Sequence, residues 1–280
     1  VATKQGFVMR NLHTILFSKD RACQLDLTLS SYKRHFKEWK DNDLTVLYTS
    51  SSAEYERGYD KIKQLHPEFT YVKESNFQQD TIRIFNDNQC PLVSFLVDDD
   101  VFINDVTLNC HQLQAMLRNP NILCFASRMN REVNYCYTAN IQTPPPVHFF
   151  EEGSWEWRAP QLSGDWNYPM SISGFHIFRK ADLVRPINTA QFRAPNSFEG
   201  TCLACNPPDR PLIILLDNQK CICGVNNRVQ TENGNRHEGS HDLTSLNNMF
   251  LSGNRLSDKV NDGKIFKQAH APVEYVWEKR

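Results

Sequence analysis

The segment Phe95-Leu-Val-Asp-Asp-Asp-Val-Phe102 sets three consecutive carboxylates, Asp98, Asp99 and Asp100, at the end of an apolar run. Carboxylates this close repel one another, so at neutral pH they need a cation or strong hydrogen-bond donors to stay ionised. A divalent ion answers that need. Mg2+ or Mn2+ takes one or two protein carboxylates and completes its shell with phosphate oxygens and water. Held there, it acts as a Lewis acid on the charge of a departing diphosphate. The competing reading is a solvated acidic turn that caps a strand end. The strand-like run before the aspartates, and the alternation of strands and helices that leads to it, favour the chemical reading.

Other residues with chemical potential are scattered. Arg21 and Arg228 carry guanidinium forks suited to phosphate oxygens. Trp155, Trp157 and Trp166 are candidates for a wall against which sugar rings lie, with ordinary packing of large aromatics as the alternative. Cys202, Cys205, Cys221 and Cys223 form two pairs that invite comparison with a four-thiolate zinc site. The second pair is separated by one residue, so in a strand its thiols point to opposite faces, and free thiols are the default expectation. The other cysteines lie among apolar neighbours as small core residues.

The elements that must position these groups read as an open α/β sheet. Strands are expected at 12–18, 44–48, near 70–72 and at 92–97, with helices over 24–39, 53–65 and 81–88 between them. Strand–helix alternation with short connections indicates a largely parallel sheet, whose ligands bind beyond the carboxyl ends of the strands. The loops after Phe17, Tyr48 and Val97 therefore converge on one cleft. Further on, a helix is expected over 106–118 and strands over 122–127, 171–178 and 212–216. A polar, Gly/Asn-rich stretch over 226–241 reads as a mobile loop that could close over a bound ligand and exclude water. No repeat is visible, and no linker separates two domains.

Composition limits the partners. With 280 residues, 40% hydrophobic and 22% charged, the chain is globular and long enough to bury a sizeable core. Its formal net charge of −1 gives no broad basic field, which argues against nucleic acid. Hydrophobic stretches such as 93–97 and 212–216 fall far short of the roughly 20 residues that span a bilayer. The chain opens on Val1 without a signal segment, so a cytoplasmic protein is expected, peripheral to a membrane or processed or cut from a larger one.

At the aspartates the chain resembles the bacterial-type nucleotide-diphosphosugar transferases of the GT-A fold, whose metal-binding Asp-X-Asp element follows a central strand. Phe17-Ser-Lys-Asp-Arg21, followed by Gln24-Leu25, is similar to their first donor-binding loop, and Tyr48-Thr-Ser-Ser51 to the loop after the second strand. Ser173-Gly-Phe-His-Ile-Phe-Arg179 resembles a later strand, Asn196-Ser-Phe-Glu-Gly200 the acidic element after it, and Ala269-His-Ala-Pro272 a late histidine segment. The resemblance implies a single GT-A domain with a Rossmann-like mixed central sheet flanked by helices. Residues 1–104 would form the donor-binding half and 105–280 the acceptor-binding and catalytic half. It implies a metal-dependent hexosyltransferase-type enzyme that moves a sugar from a nucleotide-sugar, UDP-sugars foremost, to a hydroxyl of a glycan.

Roles follow from that resemblance. Asp100 would ligate the metal directly, Asp98 would touch the ribose or the metal's waters, and Asp99 would do either. His270 would be the third protein ligand, with His237 and His241 as competitors and an ordinary surface histidine as the bland alternative. Glu199 would be the general base for inverting transfer, or simply a helix-start glutamate, with Asp165 as rival base or acceptor ligand. Phe17, Ser18, Arg21, Tyr48, Ser50, Asp98, Asp99 and Arg228 would hold the donor. Two other classes stand against this one. A nucleotidyl- or phosphoryl-transfer enzyme would show a glycine-rich loop after the first strand, and Phe17–Arg21 has no glycine. A non-catalytic carbohydrate-binding or zinc-stabilised scaffold would rest on the tryptophans and cysteines instead.

Overall fold

The protein is described from a computed structural model covering residues 11–150, 153–168, 170–230, 234, 236–239 and 241–280. The first half alternates β1 (Leu12–Lys19), α1 (Ala22–His35), β2 (Asp43–Thr49), α2 (Ala53–Leu65), β3 (Thr70–Lys73), α3 (Phe77–Asp87) and β4 (Leu92–Val97). Next come β5 (Asp100–Phe102), α4 (His111–Arg118), β6 (Ile122–Ala126) and the short pair β7 (Tyr135–Cys136) and β8 (Ile141–Gln142). The later chain adds β9 (Ser154–Glu156), β10 (Ile177–Arg179), α5 (Lys180–Thr189), α6 (Pro195–Ser197), β11 (Leu212–Leu215) and β12 (Cys221–Gly224). It finishes with α7 (Leu243–Leu251), β13 (Asn254–Leu256), β14 (His270–Ala271) and β15 (Trp277–Lys279).

Eight strands form one mixed sheet in the order β3-β2-β1-β4-β10-β6-β11-β9. Strands β3, β2, β1 and β4 are parallel, β10 runs against both β4 and β6, and β9 runs against β11. This is the expected mixed α/β architecture. Apolar side chains alternate between two core layers: Leu12 and Leu16 of β1 and Leu96 of β4 face one, and Ile15, Phe17, Val93 and Phe95 face the other. Burial on both faces explains why these strands read as continuous apolar runs. Helices α1, α2 and α7 cover the first layer, and α3 and α5 the second.

Three expected elements are cut short, each by tertiary contacts. Helix α1 stops at His35 because Phe36 turns extended and bridges Val106. That bridge also takes Val106 out of the helix expected over 106–118, which starts only at His111 after Glu38 has accepted the Leu108 N–H at 3.2 Å. The strand expected over 171–178 is confined to β10, because Gly174 and Phe175 both adopt left-handed conformations, with φ of 75° and 57°. No helix among the described residues is long and apolar enough to cross a membrane.

Helix α3 matters for the site because its first residue, Phe77, reaches the cavity described below. Its start is fixed twice: Asn76 accepts the Gln79 N–H at 3.0 Å, and Asp80 reaches back to the N–H groups of Ser75 and Asn76 at 2.8 and 3.0 Å. Burial pushes the Asp80 carboxyl up, but those N–H groups and Arg83 outweigh it and hold it down to about 2. A carboxylate depressed in the folded state stabilises above its unfolded pKa, near ~4, and loses that contribution as pH falls toward the folded value. Asp80→Asn should therefore cost about 1 kcal/mol at pH 7. Urea denaturation should show the gap to wild type closing between about pH 4 and pH 2.

Candidate active site

The three aspartates follow β4, and each is satisfied differently. Asp98 is buried at the end of β1: one carboxylate oxygen accepts the Ser18 hydroxyl at 2.8 Å and the Lys19 N–H at 3.0 Å, the other an Arg21 Nη1 at 3.0 Å. The same Nη1 donates to Asp99 Oδ2 at 2.6 Å. Asp100 is fully buried, with its oxygens accepting the N–H groups of Val97 and Gly174, each at 2.9 Å. Burial raises the Asp98 carboxyl to about 6 against the opposing pull of Arg21, and burial also raises Asp100 well above the carboxylate range. Burial would depress the Arg21 guanidinium, yet the two aspartates raise it further still.

A cavity of about 610 Å³ opens beyond the carboxyl ends of β1, β2 and β4, where the sheet rule places ligands. Asp98 and Asp99 line it, and Asp100 does not. With both oxygens committed to main-chain donors and no exposed surface, Asp100 serves as a structural anchor in this geometry. Asp99 has a side chain 15% exposed, and among the described residues its Oδ1 meets only the Cys223 thiol at 3.8 Å. Of the two, Asp99 and not Asp100 is the carboxylate that faces the cavity.

A second sheet, in the order β14-β12-β5, brings the C-terminal region to the aspartates. Cys223 pairs with Asp100 on one side and His270 on the other, so a histidine 170 positions later stands two strands away. His270 lines the cavity. Behind it lies Arg128, 1% exposed, which donates to Ser173 Oγ at 2.8 Å and to Asp165 Oδ1 at 3.1 Å. Its Nη1 is 3.3 Å from His270 Nε2, and His270 Nδ1 is 3.6 Å from Asp165. Burial pushes the Asp165 carboxyl up, but His270 and Arg128 outweigh it and hold it down to about 2. Asp165, the sequence's rival base or acceptor ligand, is thus a buried partner of Arg128 and does not line the cavity. Arg128 was missed from the sequence: a lone arginine after an apolar strand carries no motif.

Glu199 sits in a π-turn, Phe198–Leu203, a rare geometry associated with functional positions. Its Oε1 accepts the Ile172 N–H at 3.0 Å, and the side chain lines the cavity beside Ser173. Phe198 anchors the turn edge-on to Phe17 and Phe95 at 5.8 and 5.2 Å. Glu199 also stands in the first turn of this element, but Ser197 before it makes no side-chain cap bond to the turn.

Of the remaining candidates, Phe17, Ser18, Arg21, Ser50, Arg228 and His237 line the cavity. Lys19, Arg193 and Arg236 join them without having been singled out from the sequence. Tyr48 does not; it is buried against Tyr59 with ring centroids 4.4 Å apart, and its hydroxyl bonds Glu56. His241 packs on Tyr275 instead of reaching the site. The tryptophans are core residues whose indole N–H groups donate to the carbonyls of Trp166, Arg210 and Val133, so packing wins over a sugar wall. Cys202 and Cys221 lie in opposite core layers and Cys205 is exposed, so the four cysteines do not converge. In the loop expected over 226–241, residues 231–233, 235 and 240 lie outside the described residues. Asn226 is anchored through its side chain to both the N–H and the carbonyl of Val273.

The comparisons with known proteins bear on this geometry. No family profile matches the sequence. The chain is 26% identical over 306 aligned residues to the bifunctional glycosyltransferase pgtA of Dictyostelium discoideum, covering 94% of this chain and 39% of that protein. The glycosyltransferase resemblance read from the sequence is thus carried by a relative along nearly the whole chain, which itself spans well under half of that relative. Among solved structures, S. aureus TarS 1–349 in complex with UDP-GlcNAc is 14% identical with a TM-score of 0.47, over 83% of this chain and 61% of that one. The mannosyltransferase PcManGT from Pyrobaculum calidifontis, with GDP-Man and Mn2+, is 10% identical with a TM-score of 0.32, over 45% and 37%.

The link between Asp100 and the bend at Gly174 generates a stability prediction. A Cβ on Gly174 would lie 2.6 Å from the Arg128 Cβ, and its φ of 75° is strained for any side chain. Gly174→Ala should cost about 3 kcal/mol, from overpacking and left-handed strain together. Gly200, whose added Cβ would meet nothing within 4 Å, is the control. Gly200→Ala should stay within about 0.5 kcal/mol of wild type in the same urea titration.

Proposed function

We propose that this chain is a GT-A-type glycosyltransferase domain that moves a sugar from a nucleoside-diphosphate sugar to a hydroxyl of a glycan acceptor, with inversion. The observation that carries the reading is the shared cavity: Asp98 and Asp99, His270 and Glu199, distant in sequence, line one space of suitable size beyond the strand ends. UDP-sugars are the first donors to test. The similarity to pgtA supports the reaction class.

The donor set fits a divalent ion carried largely by the substrate. Among the described residues no three ligating side chains converge; Asp99 offers one cavity-facing carboxylate, and Mg2+ or Mn2+ is commonly held by one or two protein groups plus phosphate oxygens. Such an ion, held by Asp99 and phosphate oxygens while the two nitrogens of His270 face Arg128 and Asp165, would supply Lewis-acid neutralisation of the departing diphosphate. In the proposed reaction Glu199 takes the proton of the acceptor hydroxyl while that oxygen attacks the anomeric carbon. The bond from that carbon to the diphosphate oxygen breaks, and its electron pair leaves with the diphosphate. The Ile172 N–H holds Glu199 in place, so the base is aimed before the acceptor arrives.

Two substitutions separate binding from chemistry. Glu199→Gln should lower kcat roughly 100- to 10,000-fold while UDP affinity in Mn2+ stays within about twofold. Asp99→Asn should abolish the Mn2+-dependent part of UDP binding in a calorimetric titration. Full turnover by Glu199→Gln, or Mn2+-assisted UDP binding that survives Asp99→Asn, would contradict the assignment.

A further inference from the structure

The aspartate turn already contains a cation. Arg21 is 6% exposed, and its Nη1 lies 3.0 Å from Asp98 Oδ1 and 2.6 Å from Asp99 Oδ2. Its Nη2 donates to the Asn227 carbonyl at 2.6 Å, beside Arg228 on the cavity wall. One side chain therefore joins the loop after β1, the aspartate turn and the loop after β12. The requirement that suggested a divalent ion, a counter-charge for packed carboxylates, is met by the chain itself.

We infer that Arg21 is the resident counter-cation of Asp98 and Asp99 and competes with a divalent ion for Asp99, so that the ion binds well only together with a nucleoside diphosphate. This rests on the function proposed above. A doubly positive ion at Asp99 would sit close to a fixed guanidinium, and like charges at such range oppose one another. A diphosphate changes the balance twice: it supplies oxygen ligands to the ion, and it offers the guanidinium a new pair of acceptors in place of Asp99. By linkage, nucleotide and ion must then raise one another's affinity by the same factor. Arg21 acts here as a positioning residue, because it sets which ligand enters rather than touching the reacting carbon.

The test is Mn2+ binding, read from the electron paramagnetic resonance signal of free Mn2+, with and without UDP, on wild type and Arg21→Gln. Wild type should bind Mn2+ at least about tenfold more tightly with UDP than without. Arg21→Gln should tighten nucleotide-free Mn2+ binding about tenfold and shrink the coupling. If Arg21→Gln does not fold by circular dichroism, the Arg21→Gln/Asp98→Asn double variant removes both partners of the buried pair and should show the same tightening. Nucleotide-free Mn2+ binding that is no tighter in the folded variant, while wild type keeps its UDP coupling, overturns the inference and leaves the proposed function standing. Wild type without any UDP coupling overturns both.

Discussion

Three adjacent carboxylates at the end of a buried strand impose a charge constraint on everything near them. Removing an ion from water costs several kcal/mol unless close partners compensate. The protein resolves Asp98 with Ser18, a main-chain N–H and Arg21, lets Asp99 share Arg21 while facing the cavity, and turns Asp100 inward onto two N–H groups. Each solution recruits a different part of the chain. The loop after β1 supplies Arg21, and the left-handed bend at Gly174 and Phe175 delivers an N–H to Asp100. Strand β12 then pairs along β5 and carries β14 with it. The site and the fold around it satisfy one electrostatic requirement together.

A second buried guanidinium extends this logic to the other side of the cleft. Arg128 joins the buried Ser173 and Asp165 to the part-buried His270 ring. If Arg128 donates to His270 Nε2, the imidazole carries its proton on Nδ1, on the side of Asp165. Asp165, held ionised beside Arg128 and His270, faces the ring's Nδ1 at 3.6 Å, while Glu199 stands on a separate support made of the π-turn and the Ile172 N–H.

Much of this was legible in the residues. The first four strands and the helices between them stand where apolar runs and helical stripes place them, because burial on both sheet faces leaves an unmistakable pattern. Boundaries failed where distant segments intervene: Phe36 with Val106 ended one helix and delayed another, and the Gly174–Phe175 bend replaced half of a strand. Within the site, the aspartates announced themselves, whereas His270 and Glu199 stood out only through resemblance to a family. Which of Asp99 and Asp100 faces the cavity was invisible, since the turn after β4 sets which carboxylate points inward and Asp100 is met there by the N–H of Gly174, more than 70 residues later. Indole N–H groups that find carbonyl partners in the core explain why the tryptophans are structural.

Hydrogen–deuterium exchange, compared with and without UDP and Mn2+, tests the central claim most directly. If the cavity beside Asp98 and Asp99 is the nucleotide site, ligand should slow exchange at 18–21, 97–102 and 223–230 and leave α4 and β6 unchanged. Protection confined to other parts of the sheet, or none at saturating nucleotide, would contradict it.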